Sequence, residues 1–338
     1  MAIEEGGKGI RCAIIGYGGA FNMGRGHANW INAVPGMQTV AVCDVDPSRT
    51  EAAKADFPGI ETYNDVGSLL EKAPIDLAVI VTPHNTHAPL ALQCLRAGKH
   101  VILEKPMCIT TEEATEMIET AQKAGVMLSV FHNRRWDGDF MAIRDVVRKG
   151  LIGDVFHVEL YMGGYGHPGK WWRSDKTISG GAMYDWGAHC IDWILHIVND
   201  KLVSVTGFFH KRVWMDVTNE DQVQAVIRFA GGQVADIQMS SIARVGKPRW
   251  RILGTKGGIL DSGGGSFKLY TQVDGINAEA EVKYYPTTWE QYYVNIGDHL
   301  LRGGPLAVTP ESARRVIQII DYAERSSKSG KTEALPFE

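Results

Sequence analysis

The sequence predicts an α/β protein of two domains, a doubly wound parallel sheet over residues 8–131 followed by an α/β domain over residues 132–338 built on a large, mainly antiparallel open sheet. Three observations carry this expectation. Short apolar runs alternate with helical stretches across residues 11–131, which is the pattern of a parallel sheet with crossover helices. Past about residue 150 the runs alternate apolar and polar positions and are punctuated by adjacent glycines. A chain of 338 residues is long enough for two separate cores.

In the first half Arg11–Ile15, Thr39–Cys43, Leu77–Val81, His100–Leu103 and Met127–Phe131 are mostly apolar, as strands buried on both faces require. Pro47–Asp56 and Pro89–Ala97 read as helices between them, the second closed by Gly98 at a C-cap position. In the second half the strands are Phe156–Tyr161, Val203–Phe209, Val223–Phe229, Val234–Met239 and Arg249–Leu253. Gly231–Gly232, Gly257–Gly258 and Gly263–Gly265 are expected as hairpin turns. Thr309 caps a helix over Pro310–Glu324, with Ala313, Val316, Ile317 and Ile320 as its core stripe.

Composition narrows the function classes. A net charge of -4 gives no reason to expect nucleic acid or an anionic membrane as partner. No apolar run approaches the ~20 residues that span a bilayer. The acidic N-terminal stretch lacks an apolar export core, so the expected location is the cytoplasm. The cysteines Cys12, Cys43, Cys94, Cys108 and Cys190 show no CxxC pairing and read as apolar fillers in a reducing compartment.

The first chemical signal is Gly16-Tyr17-Gly18, closing the first strand. Two close glycines let the backbone turn sharply and approach a pyrophosphate, whose charge then sits at a helix N-terminus. The third glycine of a GxGxxG would fall on Phe21; here it is displaced to Gly24, so three residues are inserted. Phe21, Asn22 and Met23 are taken with Gly16 and Gly18 as the cofactor-facing turn. A plain strand–helix turn is the alternative. Asp44 follows the second strand, where a carboxylate binds adenosine ribose hydroxyls and repels a 2′-phosphate. NAD is therefore expected over NADP, with Arg49 the residue that could accommodate the phosphate; a solvated turn acid is the bland alternative for Asp44.

Glu104-Lys105-Pro106 follows a strand at the carboxyl edge of the sheet. A lysine there can donate to a substrate oxygen, although a lysine taken alone is more often a surface residue. In a helix, Asp185, His189, Asp192 and His196 would share one face. A polar stripe on so apolar a segment suggests a cleft, and a histidine suits proton removal from an alcohol. The alternative is a capped helix with satisfied core histidines. Asp/His spacing also admits a metal, but no further ligand cluster accompanies it and none is expected. Trp171, Trp172, Trp186 and Trp193 crowd the same stretch, and aromatic faces pack on sugar C–H groups. Tyr165, His167, Lys170 and Arg173 are candidates for hydroxyl or acidic-sugar contacts, and Trp172 is also counted toward the cofactor.

With these residues in place the chain resembles the glucose–fructose oxidoreductase/inositol dehydrogenase/rhizopine-catabolism (Gfo/Idh/MocA) family. The resemblance rests on Gly16 and Gly18 with Gly24-x-x-His27, on Asp44, and on the Val81–His87 and Ala97–Pro106 segments. Asn133-Arg134-Arg135 and the Asp185-x-Gly187-x-His189-x-x-Asp192 pattern complete it. It implies a Rossmann domain, an open sheet that mediates homodimers or homotetramers, and Lys105, Asp185 and His189 as catalytic group. It also implies cofactor contacts from Thr82, Pro83, His84, His87, Glu104 and Asn133. The implied activity is hydride transfer between NAD and a hydroxyl carbon of a sugar, sugar derivative or cyclitol. An NAD-dependent glycoside hydrolase or lyase working through a transient 3-keto sugar would use the same residues. A non-catalytic NAD-responsive regulator is a third reading, against which the intact Lys105/Asp185/His189 set argues. The inserted turn and His132, where the family has an aromatic or apolar residue, are its departures.

Overall fold

The computed structural model describes residues Gly9–Phe337. Most of the N-terminal stretch lacking an export core, Lys8 at the start of the expected first domain and Glu338 at the end of the second lie outside them. Two compact units result. The first holds the residues up to Cys108, Glu112–Phe131 and Glu290–Ala313; the second holds Ile109–Thr111, His132–Trp289 and the residues from Arg314 onward.

The first unit contains β1 (Ile10–Ile15), α1 (Met23–Asn32), β2 (Met37–Cys43), α2 (Pro47–Asp56), β3 (Glu61–Tyr63), α3 (Val66–Lys72), β4 (Leu77–Ile80), α4 (His87–Arg96), β5 (His100–Leu103), α5 (Thr111–Ala124) and β6 (Leu128–Val130). The strands pair in parallel in the order β3-β2-β1-β4-β5-β6. All four residues of β4 are buried, as helix-covered strands require. Helix starts follow local chemistry: Asp46 caps α2 by accepting from Ser48 N, and Asp65 caps α3 from Ser68 N. Strand order reverses between β1 and β4, and ligands of such sheets bind beyond the carboxyl ends at that switch. Gly16, Asp44, Thr82 and Glu104 follow the ends of β1, β2, β4 and β5.

The second unit contains α6 (Gly138–Arg148), β7 (Val155–Gly163), α7 (Lys176–Ser179), α8 (Trp186–Ile197), β8 (Leu202–His210), β9 (Gln222–Phe229), β10 (Val234–Ser240), β11 (Trp250–Gly254), β12 (Gly257–Asp261), β13 (Ser266–Val273), β14 (Ile276–Lys283) and β15 (Glu333–Ala334). Its nine-stranded sheet runs β14-β13-β12-β11-β7-β10-β9-β8-β15, antiparallel except for the β7–β10 pair. Alternate residues such as Val223, Ala225 and Ile227 on β9 and Ala235, Ile237 and Met239 on β10 are buried, and α8 packs against β7 and β10. Helix α9 (Gln291–Arg302) lies in the first unit; α10 (Pro310–Ser329) lies on β8 so closely that a Cβ at Gly207 would meet Ala323 O at 1.9 Å.

Two expectations are corrected. Gly257–Gly258 is not a hairpin turn: both residues open β12, and the β11–β12 turn is Thr255–Lys256. Glycine is needed at 257 because β13 approaches, and a Cβ there would stand 2.0 Å from Tyr270 O. Residues 290–313 were expected in the second domain but pack in the first unit. Helix α9 buries Tyr292, Tyr293 and Ile296; the Tyr292 hydroxyl donates to Ser129 Oγ at 2.9 Å, and Ser129 Oγ donates to Val308 O at 2.8 Å.

Candidate active site

The glycine turn of the first unit fits a dinucleotide. Gly16 has φ +98°, and a Cβ there would meet Val81 O at 2.4 Å, so only glycine lets β1 turn beside the end of β4. A Cβ at Gly24 would meet Gly16 O at 2.8 Å and the Tyr17 ring at 2.9 Å. The displaced glycine therefore does the close packing of α1 on the turn. Gly18 faces open space, and the first turn of α1 carries no acid, so its positive end is available to an anion. Asn22 precedes α1 in the left-handed region, Phe21 is exposed and Met23 half-buried. Asp44 Oδ2 accepts from Tyr17 N at 2.6 Å and Oδ1 from Asp46 N at 2.9 Å, which fixes the carboxylate while leaving lone pairs for ribose hydroxyls. Arg49 lies against the inserted loop: its Nη1 is 2.5 Å from where a Gly19 Cβ would be.

Thr82, Pro83 and His84 follow the end of β4. Thr86 Oγ1 is 2.7 Å from Thr82 Oγ1 and 2.6 Å from Pro83 O, which closes a short 3-10 turn over His84–Thr86. Helix α4 then begins at His87, two residues before the expected Pro89. His87 was expected to touch the cofactor. It is instead fully buried, with Nδ1 2.8 Å from Pro106 O and Nε2 2.9 Å from Thr82 O, so both ring nitrogens face backbone carbonyls. Burial pushes its pKa down, against the pull of those carbonyls and of Glu104.

Lys105 is half-buried and joined to Pro106 by a cis peptide. Glu104 Oε2 accepts from Lys105 N at 2.9 Å, and Oε1 lies 3.0 Å from Nε2 of buried His27. His27 Nδ1 lies 2.6 Å from the Tyr293 hydroxyl. Burial works to raise the Glu104 pKa, but His27 and the Lys105 charge outweigh it and hold the carboxyl below its ordinary range.

In the second unit α8 starts at Trp186, and Asp185 stands at its N-cap instead of inside the helix. Asp185 Oδ1 accepts from Arg173 Nη1 at 2.9 Å. His189 is buried among the rings of His132 (6.3 Å), Trp186 (5.9 Å) and Trp193 (6.5 Å). One turn on, Asp192 is a buried counter-ion: Arg135 Nε and Nη2 both donate to it, at 2.8 and 2.6 Å, with both side chains buried. Burial would raise the Asp192 pKa, but Arg135 and the nearby histidines overcome it and drive it far down. Burial likewise pushes His196 down to about 4. Asn133 is buried in a 3-10 turn that Arg134 locks, its guanidinium 4.5 Å from the Trp186 ring and 5.2 Å from that of Trp289.

The remaining substrate candidates split into two groups. Arg173 stays with Asp185 and lies over Trp172 at 5.0 Å. Tyr165 and His167 instead border Trp214, at 5.5 and 5.1 Å, with Arg244 3.7 Å over Tyr165. His167 Nδ1 accepts from Gly169 N, so Nε2 donates to Asp216 Oδ1 at 3.0 Å. With Lys170 also at 3.0 Å, Asp216 is held down to about 2. Both His167 nitrogens are thus engaged within the loop. Among the described residues no group of three or more His, Cys, Asp or Glu could hold a metal ion, and no helix is long and apolar enough to cross a membrane.

Two models of one family match this chain: the oxidoreductase family, NAD-binding Rossmann fold, of GFO/IDH/MocA over residues 10–132, and the GFO/IDH/MocA C-terminal domain over residues 140–260. The chain belongs to this family. It is similar to the scyllo-inositol 2-dehydrogenase (NADP(+)) of Bacillus subtilis (strain 168), 28% identical over 96% of this chain and 95% of that protein. It is also similar to the scyllo-inositol 2-dehydrogenase (NAD(+)) of the same organism, 29% identical over 74% and 73%. A solved oxidoreductase structure from Bacillus subtilis superposes with TM-score 0.88 at 27% identity, covering 98% of this chain and all of that one. The oxidoreductase thus binds NAD through its first unit. Sequence reasoning named His27 only as part of a motif and missed Tyr293 altogether. Nothing near residue 293 in sequence ties it to the site.

Proposed function

We propose that this oxidoreductase transfers a hydride reversibly between NAD and a hydroxyl-bearing ring carbon of a cyclitol or sugar, with Lys105, Asp185 and His189 as its reacting group. The observation that carries the substrate class is the end-to-end similarity to an inositol dehydrogenase. Bound NAD would supply the hydride acceptor. Gly16, Gly18 and the first amides of α1 hold the pyrophosphate, with Phe21, Asn22 and Met23 shaping the inserted edge, and Asp44 holds the adenosine ribose. Thr82, Pro83, His84, Asn133 and Trp172 complete the cofactor contacts, while His87 and Glu104 act from behind on the backbone.

His189 takes the hydroxyl proton as the hydride leaves carbon, so the alcohol loses one proton and one hydride and becomes a ketone. Lys105 donates to the same oxygen. A carboxylate has about four lone-pair sites, so its bond from Arg173 does not prevent Asp185 from accepting a neighbouring substrate hydroxyl. Trp172 and Trp186 offer apolar faces to a ring, Tyr165 adds a hydroxyl at the rim, and His167, its nitrogens engaged, offers only its ring face there. We place the protein in the cytoplasm as a homodimer or homotetramer paired through the open sheet.

The test mixes the purified enzyme with excess NAD and a panel of inositols, free sugars and aryl glycosides, following NADH and released aglycone together. Stoichiometric NADH with an inositol or free sugar is expected. Aglycone release without accumulating NADH would replace this reading with oxidation-assisted glycoside cleavage, and NAD binding without either product would leave a regulator.

A further inference from the structure

Lys105 follows a glutamate whose carboxylate is spoken for on both sides. Glu104 Oε2 accepts from the Lys105 backbone N–H at 2.9 Å, and Oε1 faces His27 Nε2 at 3.0 Å. His27 and Tyr293 are each fully buried, and His27 Nδ1 faces the Tyr293 hydroxyl at 2.6 Å. The rings of Phe131 and Trp30 edge against His27 at 4.5 and 5.7 Å, so it has no room to turn away. Three separate elements meet here: α1, which opens on the glycine turn, the end of β5, and α9 from late in the chain.

A neutral His27 meets both of its partners in one way. An ionised carboxylate only accepts, so His27 must carry its proton on Nε2. Nδ1 is then an acceptor, and the Tyr293 hydroxyl must donate its single proton to it. In the neutral ring the chain of donors runs one way, from Tyr293 through His27 to Glu104. Burial holds Tyr293 well above its ordinary pKa and therefore protonated, as the arrangement requires. His87, beside the Pro106 carbonyl, lacks this closure: it faces two carbonyls and, when neutral, has one proton to give.

We propose that Tyr293 and His27 are positioning residues that hold Glu104, and through its bond to the Lys105 backbone fix where the lysine stands. This rests on Lys105 as the group that meets the substrate oxygen. A shift of about 1 Å in a catalytic group can cost on the order of 100-fold in rate, so a residue that touches no substrate can still govern turnover.

The experiment compares the full-length wild type with His27→Gln, Tyr293→Phe, Glu104→Gln and the His27→Gln/Glu104→Gln double variant. His27→Gln should lower kcat by roughly 10- to 100-fold, with KM for the alcohol and Kd for NADH, read by fluorescence, within about 3-fold. Tyr293→Phe, the smaller change, should lower kcat by roughly 3- to 10-fold. The double variant should be no slower than Glu104→Gln alone, because both break one chain. In 15N NMR spectra His27 should be the Nε2–H tautomer in the wild type and a mixture in Glu104→Gln, where the amide can donate as well as accept. Losses that multiply in the double variant, an Nδ1–H tautomer, or KM and Kd moving as far as kcat would overturn the proposal. Should the wild type oxidise no alcohol, the functional reading fails by itself, and the relay is still judged by the tautomer and by mass-spectrometric acylation of Lys105. That rate, relative to surface lysines, should change by about 3-fold or more in His27→Gln; an unchanged rate would sink the relay.

Discussion

The buried polar frames behind the proposed reacting groups and the exposed loop around residues 165–173 use the same kinds of side chain to opposite effect. Behind Lys105 stand His27, Glu104 and Tyr293; behind His189 stand Arg135 and Asp192, both closed off from solvent. In the loop, His167 and Lys170 pair with an Asp216 whose side chain is 47% exposed. An exposed pair gains little because water screens it and two side chains must be held still. A buried pair has no such alternative partner, and removing one member leaves a stranded charge. The frames therefore fix geometry, while the loop can exchange residues at small cost.

The contrast can be broken most directly at Arg135. Arg135→Ala should lower the unfolding free energy by about 3–5 kcal/mol in urea titrations, by stranding Asp192. Lys170→Ala should change it by less than about 1 kcal/mol. Near-equal values would abolish the distinction. Next come the reacting groups: Lys105→Met and His189→Gln should each cut kcat about 100-fold or more, with NAD binding retained in His189→Gln.

A third, smaller effect concerns pH. The folded His196 pKa of about 4 lies below the ordinary ~6.5, through burial and the charges of Arg135 and Arg144 acting against Asp192. The unfolded chain takes up this proton first as pH falls, so stability is full above ~6.5 and declines toward pH 4, by roughly 2 kcal/mol after allowing for partial exposure. Below the ordinary ~3.9 of a carboxylate, Asp192 adds a further loss in the same direction, because its folded pKa is depressed. Thermal melts of His196→Gln should show a flatter dependence between pH 6.5 and 4; an unchanged slope would assign the loss elsewhere. Smallest of all, Arg49→Ala should weaken NADP binding by a few-fold and leave NAD nearly unaffected, since the guanidinium lies over the inserted loop.

Much of this was legible residue by residue. The turn at Gly16, the acid at Asp44 and the strand ends at Thr82 and Glu104 are marked by patterns that local sterics impose, and the displaced Gly24 could be recognised by its task. Other signals pointed the wrong way. Gly257–Gly258 looked like a turn because paired glycines permit one, yet the demand on Gly257 comes from a neighbouring strand. Asp192 shares a helix face with His189, and only Arg135, 57 residues away, converts it from candidate acid to buried counter-ion.

The sequence by itself determined where most of the first unit's strands fall, which strand ends carry the glycine and acid pattern of a dinucleotide turn, and which residue types could move a proton. These depend on backbone sterics, capping and periodicity within a dozen residues. Tertiary structure alone decided that α9 returns to the first unit, that Tyr293 reaches His27 across 266 positions, that both His87 ring nitrogens face backbone carbonyls and that Asp192 pairs with Arg135. A hydrogen bond between distant residues leaves no periodic trace in the chain, because its geometry is created only when packing has closed the loop between them.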